Sequence, residues 1–258
     1  MTKAMRILIK YLIIPFVFTT ANAEAEFYLS GKLGSSVQGT SKRKLSVSEY
    51  NVNTNEPASA VARLGRETSL GMLAGIGVGY NLKQSLDIPL RLEVEYLNRK
   101  ISKQQSHKKG LEFDLLVPNH GNNELVYTTK TKSQQLMLNT YIDCYTNSGF
   151  NPFIIAGVGR SVTNTNFRSD YRVFQNKGTI ESVLKSKMNY IWSLGFGVAK
   201  EINTDWVLNL GYSFTHAGNL NAQTKWISKE FGFEANLRSE SSIKIQYHDF
   251  YLSVAHKF

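Results

Sequence analysis

The chain has 258 residues, 30 Lys and Arg against 20 Asp and Glu, and a sequence pI near 9.5. Tyr (13), Phe (14) and Gly (19) are plentiful, whereas Pro is scarce and Cys occurs once. One cysteine excludes an intramolecular disulfide and a cysteine-built metal site, and no apolar run approaches the roughly 18 residues of a membrane-spanning helix. Cys144 therefore reads as a small apolar residue.

The N-terminus is MTKAMRILIKYLIIPFVFTTANAEAEF. Lys3, Arg6 and Lys10 form a basic leader, residues 11–18 an apolar core, and Ala21-Asn22-Ala23 a small-x-small cleavage site. These are the parts of a secretory signal peptide. A signal over 1–23 and a mature domain over 24–258 are expected, the latter with 27 basic and 20 acidic residues. No cysteine follows the cleavage site, so the signal is not of lipoprotein type. An exported chain is not expected to meet nucleic acid, despite its basicity.

The mature chain then holds eight segments with period-two hydrophobicity, the mark of strands with two unlike faces. Segment 26–37 sets Phe27, Leu29 and Leu33 against Tyr28, Ser30 and Lys32. Segment 68–81 alternates Leu70, Met72, Ala74, Ile76, Val78 and Tyr80 with Leu73 and four glycines. In 88–101, Leu90, Leu92, Val94 and Tyr96 oppose Arg91, Glu93, Glu95, Leu97 and Arg99. In 131–145, Leu136, Leu138 and Ile142 oppose Gln135, Asn139, Tyr141 and Asp143.

The fifth segment, 151–163, sets Ile154, Ala156 and Val158 against Ile155, Gly157 and Gly159. The sixth, 187–201, sets Tyr190, Trp192, Leu194, Phe196 and Val198 against Asn189, Ser193, Gly195 and Gly197. The seventh, 205–217, sets Trp206, Leu208, Leu210, Tyr212 and Phe214 against Asn209, Gly211, Ser213 and Thr215. The last, 248–258, sets Phe250, Leu252 and Val254 against Tyr251, Ser253, Ala255 and Lys257. Short turns (NLKQSLD, TNSGF, INT) join the second to the third segment, the fourth to the fifth and the sixth to the seventh. The other four connections, 39–67, 102–130, 164–186 and 218–245, are long and polar. A compact soluble domain rarely carries four such loops.

Either a soluble barrel or sandwich, or a membrane barrel with the faces inverted, accepts this pattern. The polar faces mix charges with glycines, which make a poor solvent-exposed strand but suit a narrow lumen that side chains must fill. Tyr80, Tyr96, Tyr190, Trp192, Trp206 and Phe258 fall on the apolar face near strand ends, as interfacial girdles do. Short turns on one side and long loops on the other match periplasmic turns and extracellular loops. The expected fold is all-β, an eight-stranded antiparallel transmembrane up-and-down β-barrel with three short turns and four long loops. Its expected seam pairs the last segment with the first, leaving no sheet edge.

GMLAGIGVGYN followed by IPLRLEVEYLNRK resembles the second and third strands of a family of small bacterial outer-membrane β-barrels. That family includes opacity-type proteins, the OmpA-like transmembrane domain and rickettsial-type surface antigens. LMLNTYIDCY, NPFIIAGVGRSV, YIWSLGFGVAKEI and WVLNLGYSFTHAGN resemble its fourth to seventh strands, and HDFYLSVAHKF its closing strand. The resemblance implies the outer membrane of a Gram-negative bacterium, amid lipid and lipopolysaccharide. It implies a surface antigen or adhesin, or else a narrow porin-like channel. Phe250, Leu252, Val254 and Phe258 would form a signal read by the outer-membrane insertion machinery, with His256 at a position that is usually hydrophobic.

Inward charges Lys32, Arg91, Glu93, Glu95, Arg99 and Asp143 would form either an ion path or, with only eight strands, a salt-bridged plug. A barrel hydrolase acting on lipid A would need a His followed two residues on by Ser. The five histidines are instead followed by Lys109, Asn122, Gly218, Phe250 and Phe258. GIGVGY lacks the third glycine of a dinucleotide loop and the helix after it. No enzyme, cofactor, catalytic residue or metal ligand is expected. Segments 39–67, 102–132 and 164–187 each hold five basic residues, against three, three and two acidic ones; 218–245 holds four against three. This basic crown is a candidate surface for a host polyanion or receptor.

Overall fold

The computed structural model describes residues 26–40, 43–50, 57–64, 67–83, 88–107, 124–146, 149–173, 176–185, 188–227, 234–237 and 242–258. The expected signal over 1–23 lies outside the described residues. The described chain forms twelve strands: β1 (Glu26–Thr40), β2 (Arg43–Tyr50), β3 (Pro57–Leu64), β4 (Glu67–Asn81), β5 (Leu90–His107), β6 (Glu124–Asp143), β7 (Phe150–Val173), β8 (Asn176–Lys185), β9 (Asn189–Glu201), β10 (Trp206–Ile227), β11 (Glu234–Leu237) and β12 (Ser242–Lys257).

Eight of them close a ring of antiparallel neighbours in the order β1, β4, β5, β6, β7, β9, β10, β12 and back to β1. The seam runs from Tyr28 opposite Lys257 to Thr40 opposite Ile245. The sheet is thereby without a free edge in the barrel wall. The remaining strands are additions at one end: β2 pairs with β3, β11 with β10, and β8 with both β7 and β10.

The two faces are inverted relative to a soluble barrel. Leu33, Met72, Ile76, Phe196 and Leu210 stand on the outside and are each more than 60% exposed, while Lys32, Glu95 and Arg99 are buried inside. Water cannot be the solvent for such a wall, and hydrocarbon can. The interior also holds two apolar clusters. One gathers Leu73, Leu97, Ile101, Met137, Ile191 and Tyr251, and the other Tyr28, Tyr141, Phe153, Ile155 and Val207.

The strands reach further than their hydrophobic alternation suggests, and much of the expected loops is strand. β5 runs on to His107, β6 begins at Glu124, β7 continues to Val173 and β10 to Ile227. In β5 the added stretch SKQQSH is polar throughout, and both faces are polar where β6 and β7 show them, at 129–133 and 163–166. Thr129 and Thr131 point inward between the outward Lys130 and Lys132, and Thr163 and Thr165 point inward beside Asn164 and Asn166. Apolar–polar alternation reports a contrast between two solvents, and beyond the hydrocarbon that contrast is gone.

At the same end, β8 takes over the place of β9. β10 accommodates the exchange with a bulge between His216 and Asn219. Gly218 sits there at φ +78°, a conformation open to glycine at no steric cost, and the Asn189 amide donates to the Asn219 carbonyl at 2.8 Å.

The opposite end is tight. In the β9–β10 turn the Asn203 side-chain oxygen accepts from the backbone N–H of Asp205 (3.0 Å) and of Trp206 (2.8 Å). This side-chain mimic of a backbone turn is what Asn is suited to. Gly149, at φ +72°, turns the β6–β7 connection. Cys144 lies exposed in that turn with its N–H donating to the Pro152 carbonyl, so it is a surface residue and not an apolar filler.

Candidate functional site in the barrel lumen

Inward positions of β1, β5, β6 and β12 bring the charged residues together, because alternate residues of neighbouring strands share a face. Near the tight-turn end, Arg91 Nε donates to Asp143 Oδ2 at 2.6 Å and its second nitrogen to Oδ1 at 2.7 Å. The guanidinium also lies 4.6 Å from the Tyr141 ring centre and 5.5 Å from that of Phe153. Next along β5, Glu93 accepts from the hydroxyls of Ser30 (3.0 Å) and Tyr141 (2.9 Å).

Glu95 follows, ion-paired with Lys32 and accepting from the Asn139 amide at 2.9 Å. Lys32 Nζ stands 4.2 Å from the centre of the Tyr251 ring. Arg99 meets Asp249 through two bonds, 3.2 Å from Nε and 2.5 Å from the terminal nitrogen, and lies 4.8 Å from the Tyr247 ring centre. Above these ions come hydroxyl contacts across β6 and β7, Thr131 to Thr165 and Ser133 to Thr163, each 3.1 Å.

Lys32, Arg91, Glu93, Glu95, Arg99 and Asp143 thus occupy one connected interior. Asp249 belongs to the same set and was not among the sequence candidates. Carrying the alternation of the closing segment back from Tyr251 places it on the inward face. The space left beside Lys32, Glu95, Asn139 and Asp249 is a cavity of about 10 Å³, room for a single water at most. A buried pair of this kind adds little net stability, but removing one partner strands a charge at a cost of about 3–5 kcal/mol.

The glycines make room mainly for rings and aliphatic chains rather than for charges. A side chain at Gly79 would strike the Tyr28 ring, and one at Gly211 the Tyr251 ring. Gly75 faces Leu97 and Gly197 faces Phe153. Only Gly77 makes way for a named ion, since a Cβ there would lie 2.9 Å from Glu93 Cδ. Charge is compact at its tip, whereas an aromatic ring fills the whole radius of a narrow barrel.

On the outer wall, Tyr80 and Trp206 stand at the tight-turn end, and Tyr190 and Trp192 at the opposite edge of β9. Tyr96 is in the middle of β5 and not near its end, because that strand continues beyond the apolar band. It is the last outward apolar residue before Asn98 and Lys100. His256 packs with ring centres 4.5 Å from Trp206 and 4.7 Å from Phe258. It is half-buried between two aromatics, which accounts for a histidine among outward apolar residues. Phe250, Leu252, Val254 and Phe258 face outward, and the Phe258 N–H donates to the Phe27 carbonyl at 2.9 Å. Among the described residues no three His, Cys, Asp or Glu side chains converge as metal ligands.

The family model of the outer membrane protein beta-barrel domain matches residues 15–258. Outer membrane protein PagN of Salmonella typhimurium is 25% identical over 254 residues, covering 95% of this chain and 97% of that protein. Among solved structures, the outer membrane protease OmpT of Escherichia coli is 10% identical over 92% of this chain and 98% of its own, with a TM-score of 0.48. Neisserial surface protein A is 14% identical over 91% and 99%, with a TM-score of 0.45. The attachment invasion locus protein Ail of Yersinia pestis, solved with the heparin analogue sucrose octasulfate, is 8% identical over 90% and 99%, with a TM-score of 0.32.

Proposed function

This chain belongs to the outer membrane protein β-barrel family, and from that premise we propose that it is a non-catalytic adhesin whose closed barrel serves as a pedestal for basic extracellular segments. The chain is a surface protein of the Gram-negative outer membrane, embedded in its lipid. The observation that carries the proposal is the filled lumen. At the level of Lys32, Glu95 and Asp249, interlocked ions and buried tyrosines leave a cavity of about 10 Å³, too small for a permeant solute. This argues against the narrow-channel alternative.

Function then falls to what the barrel holds outside the membrane. The strands extend past the apolar band on that side, and the four long connections there all carry more basic than acidic residues. A surface of one sign attracts polyanions and accelerates their capture, and the effect weakens with salt. A sulfated glycan of the host surface is the proposed ligand class. Residues 1–23 serve as the cleaved export signal, and the closing strand ending in Phe258 is the part read by the insertion machinery.

The deciding experiment measures binding of cells displaying the protein to host cells with heparin or a neutral glycan as competitor. Heparin should compete strongly, and less so as salt rises. Equal competition by the neutral glycan would end the adhesion reading.

A further inference from the structure

Outside the membrane, several cations of the described strands share a register row with a carboxylate. Arg168 on β7 is the partner of Glu181 on β8, and Arg172 lies between Glu124 on β6 and Lys177 on β8. Lys225 on β10 is opposite Asn236, two residues from Glu234. Opposite charges across strands stabilise a sheet, and like charges directly opposite destabilise it.

Two described rows set cation against cation with no carboxylate in the row. One is Lys100 opposite Lys132, at the membrane rim, where Met72 shares the row. The other is Lys44 opposite Arg63 on the ribbon of β2 and β3. That ribbon keeps step with the barrel, since Thr40 is opposite Glu67 and Arg43 opposite Leu64. Among the described residues its two strands pair only with each other. A two-stranded ribbon is marginal by itself, and a pair of cations across it weakens it further.

Alternation gives the ribbon two unlike faces. Leu45, Val47 and Leu64 share one with the alanines of β3, and Glu49 is on that face too. The other has Lys44 and Arg63 at the barrel end, then Ser46, Ser48 and Ser59 with Val61, and Tyr50 opposite Pro57 at the far end. Glu67 is the next described carboxylate in step with this second face. It is four residues along the chain from Arg63, about 13 Å at about 3.3 Å per residue, a distance at which exposed charges are largely screened.

The pattern selects its ligand. Register partners have Cα atoms about 5 Å apart, so one oxyanion can meet both cations at once. Arginine adds a planar fork of donors suited to such a group. Serine hydroxyls donate and accept, as recognition of a sugar requires, and a tyrosine offers an apolar ring with a polar tip. An anion bound here also removes the repulsion across the ribbon, so binding and ordering of the ribbon are coupled.

We propose that the Lys44–Arg63 row is where this protein grips a sulfated glycan. One sulfate bridges the two cations, and the sugar chain runs past Ser46, Ser48 and Ser59 toward Tyr50. The inference rests on the adhesin reading and narrows it from four basic segments to one row.

The test uses the full barrel in neutral detergent, with heparin and desulfated heparin as probes and heat-modifiable mobility as the check of folding. Lys44→Gln/Arg63→Gln should lower heparin affinity about tenfold, each exposed ion pair being worth up to roughly fivefold. Arg168→Gln/Arg172→Gln removes the same net charge from rows that hold carboxylates and should bind as the parent does. Lys44→Arg/Arg63→Lys keeps both charges and should retain binding. On the parent, heparin should slow amide hydrogen exchange over residues 43–64, and desulfated heparin should not. Absence of heparin binding by the parent would end the adhesin reading and this inference together. Undiminished binding by the folded Lys44→Gln/Arg63→Gln variant, an equal loss in the Arg168→Gln/Arg172→Gln variant, or unchanged exchange over 43–64 would overturn this inference alone.

Discussion

Arg99 on β5 and Asp249 on β12, 150 residues apart in the chain, are joined across the lumen by two bonds of 3.2 and 2.5 Å. Their strands are not neighbours, since β1 and β4 stand between them in the ring. The pair therefore links distant parts of the wall through the interior. Removing one partner should be far more damaging than removing both. Asp249→Asn is expected to cost about 3–5 kcal/mol, and Arg99→Met with Asp249→Leu close to nothing. Urea unfolding in detergent, followed by heat-modifiable mobility, measures both.

The filled lumen predicts very little ion flow. Reconstituted in planar bilayers, the protein should give no stable open level near the nanosiemens range. A persistent level of that size would mean that Lys32, Glu95, Arg99 and Asp249 part readily, and the pedestal reading would then give way to a pore.

Gly79 is a test of close approach rather than of backbone freedom. A methyl group there would overlap the Tyr28 ring. Gly79→Ala should destabilise by about 1–3 kcal/mol, the range for overpacking a filled core. Shortening the opposing side chain with Tyr28→Ala should recover part of that loss. Simple additivity of the two changes in a double-mutant cycle would show that they do not touch.

The tight-turn end of the closing strand offers a test of assembly. Phe258 packs on His256, which packs on Trp206. Deleting Phe258 should lower the yield of heat-modifiable protein in cells. His256→Phe should be tolerated, because the site between Trp206 and Phe258 is aromatic. Normal assembly without Phe258 would remove its proposed role as an insertion signal.

The extracellular segments predict a salt dependence. If their basic residues draw the ligand, moderate salt should weaken heparin binding several-fold, because exposed charges more than about 8–10 Å apart are screened. Binding of the barrel to heparin beads across a salt series reads this directly.

The sequence by itself determined the barrel. Wherever Leu252, Val254 and Phe250 alternate with Tyr251 and Ser253, two different solvents must lie on the two sides of the strand, and eight such stretches leave little choice of architecture. It also placed Arg91, Glu93 and Asp143 on one face, because period two is a local property of extended chain. Tertiary structure decided what local pattern cannot encode. The partner of Arg99 is Asp249, a choice made by how eight strands curve around a common axis and not by spacing along the chain. The true length of β5 emerged only there, since its last stretch, SKQQSH, is polar throughout and carries no hydrophobic signal. The glycines needed the same view, because which ring fills the space opposite Gly79 or Gly211 depends on closure. His256 was opaque in sequence for that reason. Its aromatic neighbours Trp206 and Phe258 come together at one spot only when β12 lies beside β10.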